Sequence, residues 1–325
     1  MSRLEKAQAR RLCYHKIFVI VCLLLLLTAG CYHLPAPPAN LTQSWGEQKT
    51  FDYQGIKINY YEKGQGPPLI LLHGFGACAY TWRFLGPALA GDYRVFTIDL
   101  KGFGWSDKPP DEKYAISDQA EMVAAFIRAQ KLQDAVLIGN SMGGGVALMT
   151  YLALQEGKPG PIRGLVLIDS AGYPQKMPWF IRLAQIPVLN TLGPMLLSPR
   201  FLTGLVLRKC YYNKEKVTEE AIDAYAFFSS LPGAAEAVRQ TAKQIIPANM
   251  EAMIARYKHI RVPTLIIWGQ EDEVVPLENA RNFQRDIPDS QLAILPHCGH
   301  IPQEEEPRET LGIVTTFLQK LHPGR

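Results

Sequence analysis

The chain has 325 residues, 47% of them hydrophobic and 20% charged, with 26 Gly and 24 Pro. This composition excludes a disordered tail, a collagen-like repeat and a small disulfide scaffold, and the length allows one large domain with an insertion or two medium ones. The formal net charge of +4 comes from residues 1–30, which carry five basic side chains and one acidic one; the other 295 residues hold 29 of each sign. A neutral body has no electrostatic footprint for nucleic acid, so no nucleic-acid partner is expected.

Residues 17–29, IFVIVCLLLLLTA, form an uncharged apolar run behind the basic flank. The run is 13 residues long, short of the roughly 20 that a membrane-spanning helix needs and within the about 7–15 of an export-signal core. It closes in Leu27-Thr28-Ala29-Gly30-Cys31, which resembles the cleavage box of bacterial lipoproteins, with Thr28 where Leu is usual. The resemblance implies lipid attachment at Cys31. The other reading is an uncleaved anchor whose core is lengthened by its flanks. Residues 1–30 are thus expected to be a signal peptide or membrane anchor. The basic flank stays cytoplasmic, and the body lies outside the cytoplasm, in the cell envelope. Residues 31–50, with Leu34-Pro-Ala-Pro-Pro-Ala-Asn40, read as a Pro-rich linker. Cys78, Cys210 and Cys298 are scattered through the body without disulfide spacing, and buried free thiols are expected.

From residue 51 the pattern is regular. Phe51–Tyr53 and Ile56–Tyr61 flank Gln54-Gly55 as a hairpin. Short apolar runs follow at Leu69–Leu72, Arg94–Asp99, Ala135–Ile138, Leu165–Ile168, Thr264–Trp268 and Leu292–Leu295. Helical spacing marks Ile116–Gln130, with Asp118 and Glu121 as an N-terminal cap pair, and also residues 142–155, 277–286 and 307–321. Apolar strands alternating with amphipathic helices predict an α/β fold with a mostly parallel, doubly wound sheet covered on both faces. The hairpin adds an antiparallel edge.

Residues 171–255 break the alternation. They hold no clear strand, and Pro174, Pro178, Pro187, Pro194 and Pro199 divide them into short helices. The expected organisation is a core in two parts, 51–170 and 256–325, with a helical cap at 171–255 between them. The cap carries an apolar surplus, among it Trp179, Phe180, Leu183, Phe201 and Leu205. Most of it is expected to pack on the core, and some to line an apolar acyl pocket.

The sharpest chemical signal is Gly139-Asn140-Ser141-Met142-Gly143, placed after a predicted strand and before a predicted helix. A tight strand-to-helix turn crowds its neighbours, so glycines on both sides of Ser141 relieve the clash and lift its hydroxyl above the sheet. The helix N-terminus favours negative charge there. A serine hydroxyl needs a base. His300, in Pro296-His-Cys-Gly-His300, is preferred to His297 because Gly299 frees the backbone. Asp272 follows the strand at 264–268 and is the carboxylate expected to orient His300; Glu271 beside it would point elsewhere, and Asp169 is the alternative acid. The Phe75 and Met142 amides are the expected oxyanion donors, with His73 as a structural hydrogen bonder behind them. His297, Cys298 and His300 resemble half a metal site, but no second ligand pair exists. No metal or organic cofactor is expected.

Five motifs occur in order: His73-Gly74-Phe75-Gly76; Asp99-Leu-Lys-Gly102-Phe-Gly104-Trp-Ser106; Gly139–Gly144; Trp268-Gly269 with Asp272 and Pro276; and Gly299-His300-Ile-Pro302 through Pro307. With them the body resembles the α/β-hydrolase superfamily. The resemblance falls in the lid-bearing group of monoacylglycerol lipases, carboxylesterases, epoxide hydrolases, dehalogenases and carbon–carbon-bond hydrolases, and it covers about residues 51–170 and 256–325. Epoxide hydrolases and haloalkane dehalogenases place Asp at the nucleophile, and Ser141 argues against both. Carbon–carbon hydrolases share the Gly-Asn-Ser-Met-Gly-Gly string, but they usually carry an aromatic where this chain has Ile301. Serine haloperoxidases and perhydrolases share the triad. The resemblance implies a lipase or esterase, with monoacylglycerol-like lipid esters among the substrates it suggests. The alternatives are a carbon–carbon hydrolase of a dioxo acid and a non-catalytic ligand sensor.

Overall fold

The computed structural model describes residues 45–155, 160–186 and 198–322. Five of its strands are apolar on both faces: β3 (Pro68–Leu72), β4 (Arg94–Ile98), β5 (Ala135–Asn140), β6 (Ile162–Ile168) and β7 (Thr264–Gly269). Such strands need cover above and below, which parallel crossover connections supply. With β1 (Glu47–Tyr53), β2 (Ile56–Lys63) and β8 (Ser290–Leu295) they form an eight-stranded sheet in the order β1-β2-β4-β3-β5-β6-β7-β8. The β1–β2 and β2–β4 pairs are antiparallel and all the others parallel.

Successive side chains alternate between two cores. On one face Leu72, Leu137, Leu167 and Trp268 pack with α2 (Ile116–Ala129), α3 (Met142–Leu154) and α9 (Glu278–Asp286). On the other, Leu71, Val136, Val166 and Ile267 pack with α1 (Leu85–Leu89) and α11 (Pro307–Leu321). The residues between β6 and β7 hold α4 (Trp179–Ala184), α5 (Pro199–Cys210), α6 (Glu219–Ser229), α7 (Ala234–Gln244) and α8 (Met250–Tyr257). No strand occurs there among the described residues.

Two boundaries differ from the sequence reading. The first strand starts at Glu47, inside the stretch read as linker, and Trp45 before it is already buried. Glu47–Thr50 is polar because it forms an exposed edge, so no hydrophobic alternation announces it. At the start of α2, Asp118 alone reaches back to cap the Ala115 amide (2.9 Å), while Glu121 is exposed. The apolar run at 17–29 and Cys31 lie outside the described residues. Among the described residues no helix is long and apolar enough to cross a membrane.

Phe126 joins α2 to the antiparallel edge. It is fully buried and meets Phe51, Tyr60 and Phe96 edge-on at centroid distances of 5.5, 5.0 and 5.6 Å. Phe126→Ala is expected to lower the unfolding free energy by about 3–5 kcal/mol, measured by urea denaturation. A loss below about 1 kcal/mol would mean that the edge holds without this cluster.

Candidate active site

Ser141 stands alone between the end of β5 and the start of α3, with φ 54° and ψ −120°. Side chains other than glycine rarely occupy that region. The turn is tight enough that a Cβ on Gly143 would lie 2.2 Å from the Leu72 carbonyl oxygen. Its backbone is held on both sides: Ser141 N donates to Ile168 O (2.9 Å), and Ser141 O accepts from the Gly144 (3.0 Å) and Ala171 (2.9 Å) amides. Met142 is the first residue of α3, where an amide has no acceptor within the helix. Phe75 sits in the turn closed by Ala77 N to Gly74 O (3.2 Å), and Gly74 packs directly on Asn140 and Ser141.

Asp272 and His300 occupy the loops after β7 and β8, above the same end of the sheet as Ser141. His300 Nδ1 lies 2.8 Å from Asp272 Oδ2. Against a carboxylate that nitrogen is the donor, which leaves Nε2 as the basic one. The other Asp272 oxygen accepts from the Val274 (2.7 Å) and Val275 (3.1 Å) amides. One oxygen of Asp169, one of Asp272 and one ring nitrogen of His300 all lie within 4.8 Å of one another. That spacing would also suit a metal ion, but His300 and Asp272 are already joined to each other by a hydrogen bond.

The residues weighed beside these fall elsewhere. His297 is exposed with φ 57° and lies against Tyr212, outside the cavity. Gly299 matters for space rather than backbone freedom: a Cβ there would lie 2.3 Å from Cys210 O at the end of α5. Glu271 reaches the Cys298 amide (3.0 Å) and so holds the histidine loop. Cys78, Cys210 and Cys298 are free, buried thiols.

Ser141 and His300 open on a cavity of about 340 Å³ with a mainly apolar wall. The helices between β6 and β7 supply much of that wall, including Trp179, Phe180 and Leu183 from the apolar set singled out in the sequence. Helix α5 turns Leu202 and Val206 inward and leaves Phe201 and Leu205 exposed. Tyr211, Phe227 and Phe228 are consumed in packing.

Several further residues organise the site; Asn140 and Glu305 lie inside the sequence motifs with no role assigned to them. Asn140 Nδ2 donates to Ile168 O (3.2 Å) and His300 O (3.1 Å), bridging the nucleophile and histidine loops. Glu305 accepts from the Gly299 (2.7 Å), Tyr212 (3.0 Å) and Asn213 (2.6 Å) amides. The Glu304 side chain is fully buried and accepts from Thr81 Oγ1 (2.6 Å), Arg83 Nη1 (2.5 Å) and the Tyr225 and Tyr211 hydroxyls. Burial, followed by the Glu304 charge, pushes the Tyr225 phenol far up, so it acts as a donor.

The family model described as alpha/beta hydrolase fold matches residues 67–307. A 2-hydroxy-6-oxo-6-(2'-aminophenyl)hexa-2,4-dienoic acid hydrolase of Metapseudomonas resinovorans is 31% identical over 273 residues, 82% of this chain and 89% of that protein. The structure of a serine hydrolase involved in carbazole degradation, the CarC enzyme, matches with a TM-score of 0.70 at 26% identity, covering 84% of this chain and 99% of that one. A membrane phospholipase A, described as a bacterial virulence factor, matches with a TM-score of 0.72 at 26% identity, covering 95% of this chain and all of that one.

His73 gives the site a pH signature in stability. Its Nδ1 donates to Gly74 O (2.8 Å) and its Nε2 accepts from the Leu100 amide (3.0 Å), so the ring is neutral. Burial pushes its pKa down to about 4, against a weaker upward pull from Gly74. The unfolded ring takes up its proton near pH 6.5, so between these values the unfolded state binds more protons and stability falls as pH falls. From pH 7 to pH 5 the ring is expected to remove about 2 kcal/mol of unfolding free energy. Urea unfolding of the wild type and His73→Gln at both pH values isolates the effect; equal pH responses would mean that the folded ring takes up its proton at the same pH as the unfolded one.

Proposed function

The chain belongs to the α/β-hydrolase fold family, and we propose that it is a serine hydrolase cleaving carboxylic esters with apolar acyl groups, tethered to a membrane on the envelope side. One observation carries the reading: the apolar cavity of about 340 Å³ opens directly on the Ser141 turn and on His300. Ser141 Oγ attacks the acyl carbon while His300 Nε2 takes its proton. Asp272 holds the imidazolium through Nδ1. The carbonyl oxygen becomes an oxyanion that receives the Phe75 and Met142 amides at the N-terminus of α3. His300 then returns the proton to the leaving alcohol. Water repeats the sequence on the acyl-enzyme, and no cofactor takes part.

The wall favours a neutral substrate. Apart from His300, the wall carries no basic side chain among the described residues to bind an anionic acid, and its acidic side chain, Glu304, is already paired with Arg83. This weighs against the carbon–carbon reading, which the relative from Metapseudomonas resinovorans keeps in view as the second one. The membrane tether draws on the 17–31 segment and on the match to a membrane phospholipase A over 95% of this chain.

Hydrolysis of p-nitrophenyl esters of increasing acyl length by the full chain in detergent is expected to peak at medium or long chains. Ser141→Ala should lower kcat/KM by roughly 10⁴-fold or more. Turnover of a vinylogous dioxo acid with none of any ester would replace this reading with carbon–carbon cleavage; no turnover of either, with ligand binding retained, would leave a sensor. For the tether, metabolic labelling with an alkyne fatty acid is expected to mark the wild type and to miss Cys31→Ala. An unlabelled wild type that still sediments with membranes would point to the uncleaved anchor.

A further inference from the structure

Behind the triad lies a second carboxyl group to which the mechanism above gives no task. Asp169 follows β6 with φ 44°, its amide bonded to Ile267 O (3.0 Å). Its Oδ1 accepts from the Gly269 amide (3.0 Å), so the side chain reaches across to the end of β7. Its Oδ2 is sealed from water and receives no hydrogen from any N–H or hydroxyl among the described residues. As a carboxylate it would be a buried anion with a single donor, and one of its oxygens lies within 4.8 Å of an Asp272 oxygen. Two carboxylates that close in a dry interior cannot both be ionised, so one must hold a proton.

The donor count decides which. Asp272 receives three hydrogens, from the Val274 and Val275 amides and from His300, whereas Asp169 receives one. Hydrogen bonds to the charged form favour it, so the charge belongs on Asp272 and the proton on Asp169. We propose that Asp169 is a neutral carboxylic acid whose Oδ2–H donates to Asp272, making it a positioning residue for the triad carboxylate. Burial first, and then the Asp272 charge and a hydrogen bond to it, push the Asp169 carboxyl well above the ordinary range, against the single Gly269 amide. The other titratable groups that act on the pair are His300, Glu305, Glu273 and the buried Cys298 and Cys210 thiols. Of these groups, all among the described residues, His300 alone can carry positive charge.

The added donor has a chemical use. The imidazolium proton must go to the leaving group and not to Asp272. A fourth hydrogen bond lowers the basicity of Asp272 and keeps that proton on His300. It also fixes which Asp272 oxygen faces the ring.

The inference rests on the Ser141–His300–Asp272 reading, and its test separates the two. Asparagine is neutral at all pH and keeps a donor at the place of Oδ2. Asp169→Asn is therefore expected to hold kcat within about threefold of the wild type, with the same acid limb in the pH profile of kcat/KM. Asp169→Ala removes the donor; kcat should fall about tenfold with little change in KM, and the acid limb should move to higher pH. If Asn is as damaging as Ala, an ionised Asp169 is required and the proposal fails; it fails equally if Ala behaves as the wild type in both kcat and limb. Should Ala not fold, or should no substrate be turned over, infrared difference spectra of resting wild type against Asp169→Asn at pH 7 decide alone. A protonated-carboxyl C=O band belonging to the wild type is expected, and its absence overturns the proposal.

Discussion

One residue turns the chain from β5 into α3, and the geometry of the site follows from the left-handed φ this forces on Ser141. Such a conformation costs on the order of 1–3 kcal/mol and persists only where its surroundings over-determine it. Here the restraint comes from outside the turn. The Ser141 amide is bonded to the last carbonyl of β6, and its carbonyl takes an amide from the loop after β6 as well as one from α3. The strand pairing that builds the sheet thus also holds Ser141, and a rigid parallel sheet precedes any site of this design.

Asp272 and His300 hang from irregular loops, and carboxylates fix those loops. Asp272 gathers two amides of its own loop, Glu271 takes the Cys298 amide, and Glu305 takes three more, two of them from the segment after α5. Buried loop amides need acceptors, and an ionised acceptor makes the stronger bond. Asn140 closes the circuit by joining the Ser141 turn to the His300 carbonyl. A position on a loop is in this way made as definite as one on a strand.

This division explains what the sequence could reveal. The sheet was legible because its central strands are unbroken apolar runs, and Ser141, Asp272 and His300 were legible because each follows such a run within a few residues. The polar edge at Glu47–Thr50 escaped because its side chains face solvent and carry no period. Glu304 was hidden as one of three consecutive glutamates, Glu304-Glu305-Glu306. The first two serve unrelated networks and the third forms an ion pair with Lys216. Only tertiary contacts distinguish them. Gly299 was noticed for flexibility, whereas its need is set by the backbone of a helix about 90 residues away in sequence. In the insertion, composition announced apolar surplus but not direction, because Phe201 and Leu202 differ only in the face of α5 they occupy.

The Glu304 network bears on how chemistry and selectivity are joined. Its carboxylate collects Thr81 and Arg83 from the loop after β3 and Tyr211 and Tyr225 from the segment between β6 and β7, while it follows β8 itself. Four donors match the roughly four lone-pair sites of a carboxylate, so the group has no acceptor capacity left for a substrate although it reaches the wall. Its charge is paired with Arg83, and its bonding is spent on tying three segments together around the cavity. Polar groups that satisfy one another beneath the surface let the surface itself stay apolar. The helices that shape the cavity are therefore coupled to the loop that carries His300, and a change in the wall can reach His300 through Glu304 without touching Ser141 or Asp272.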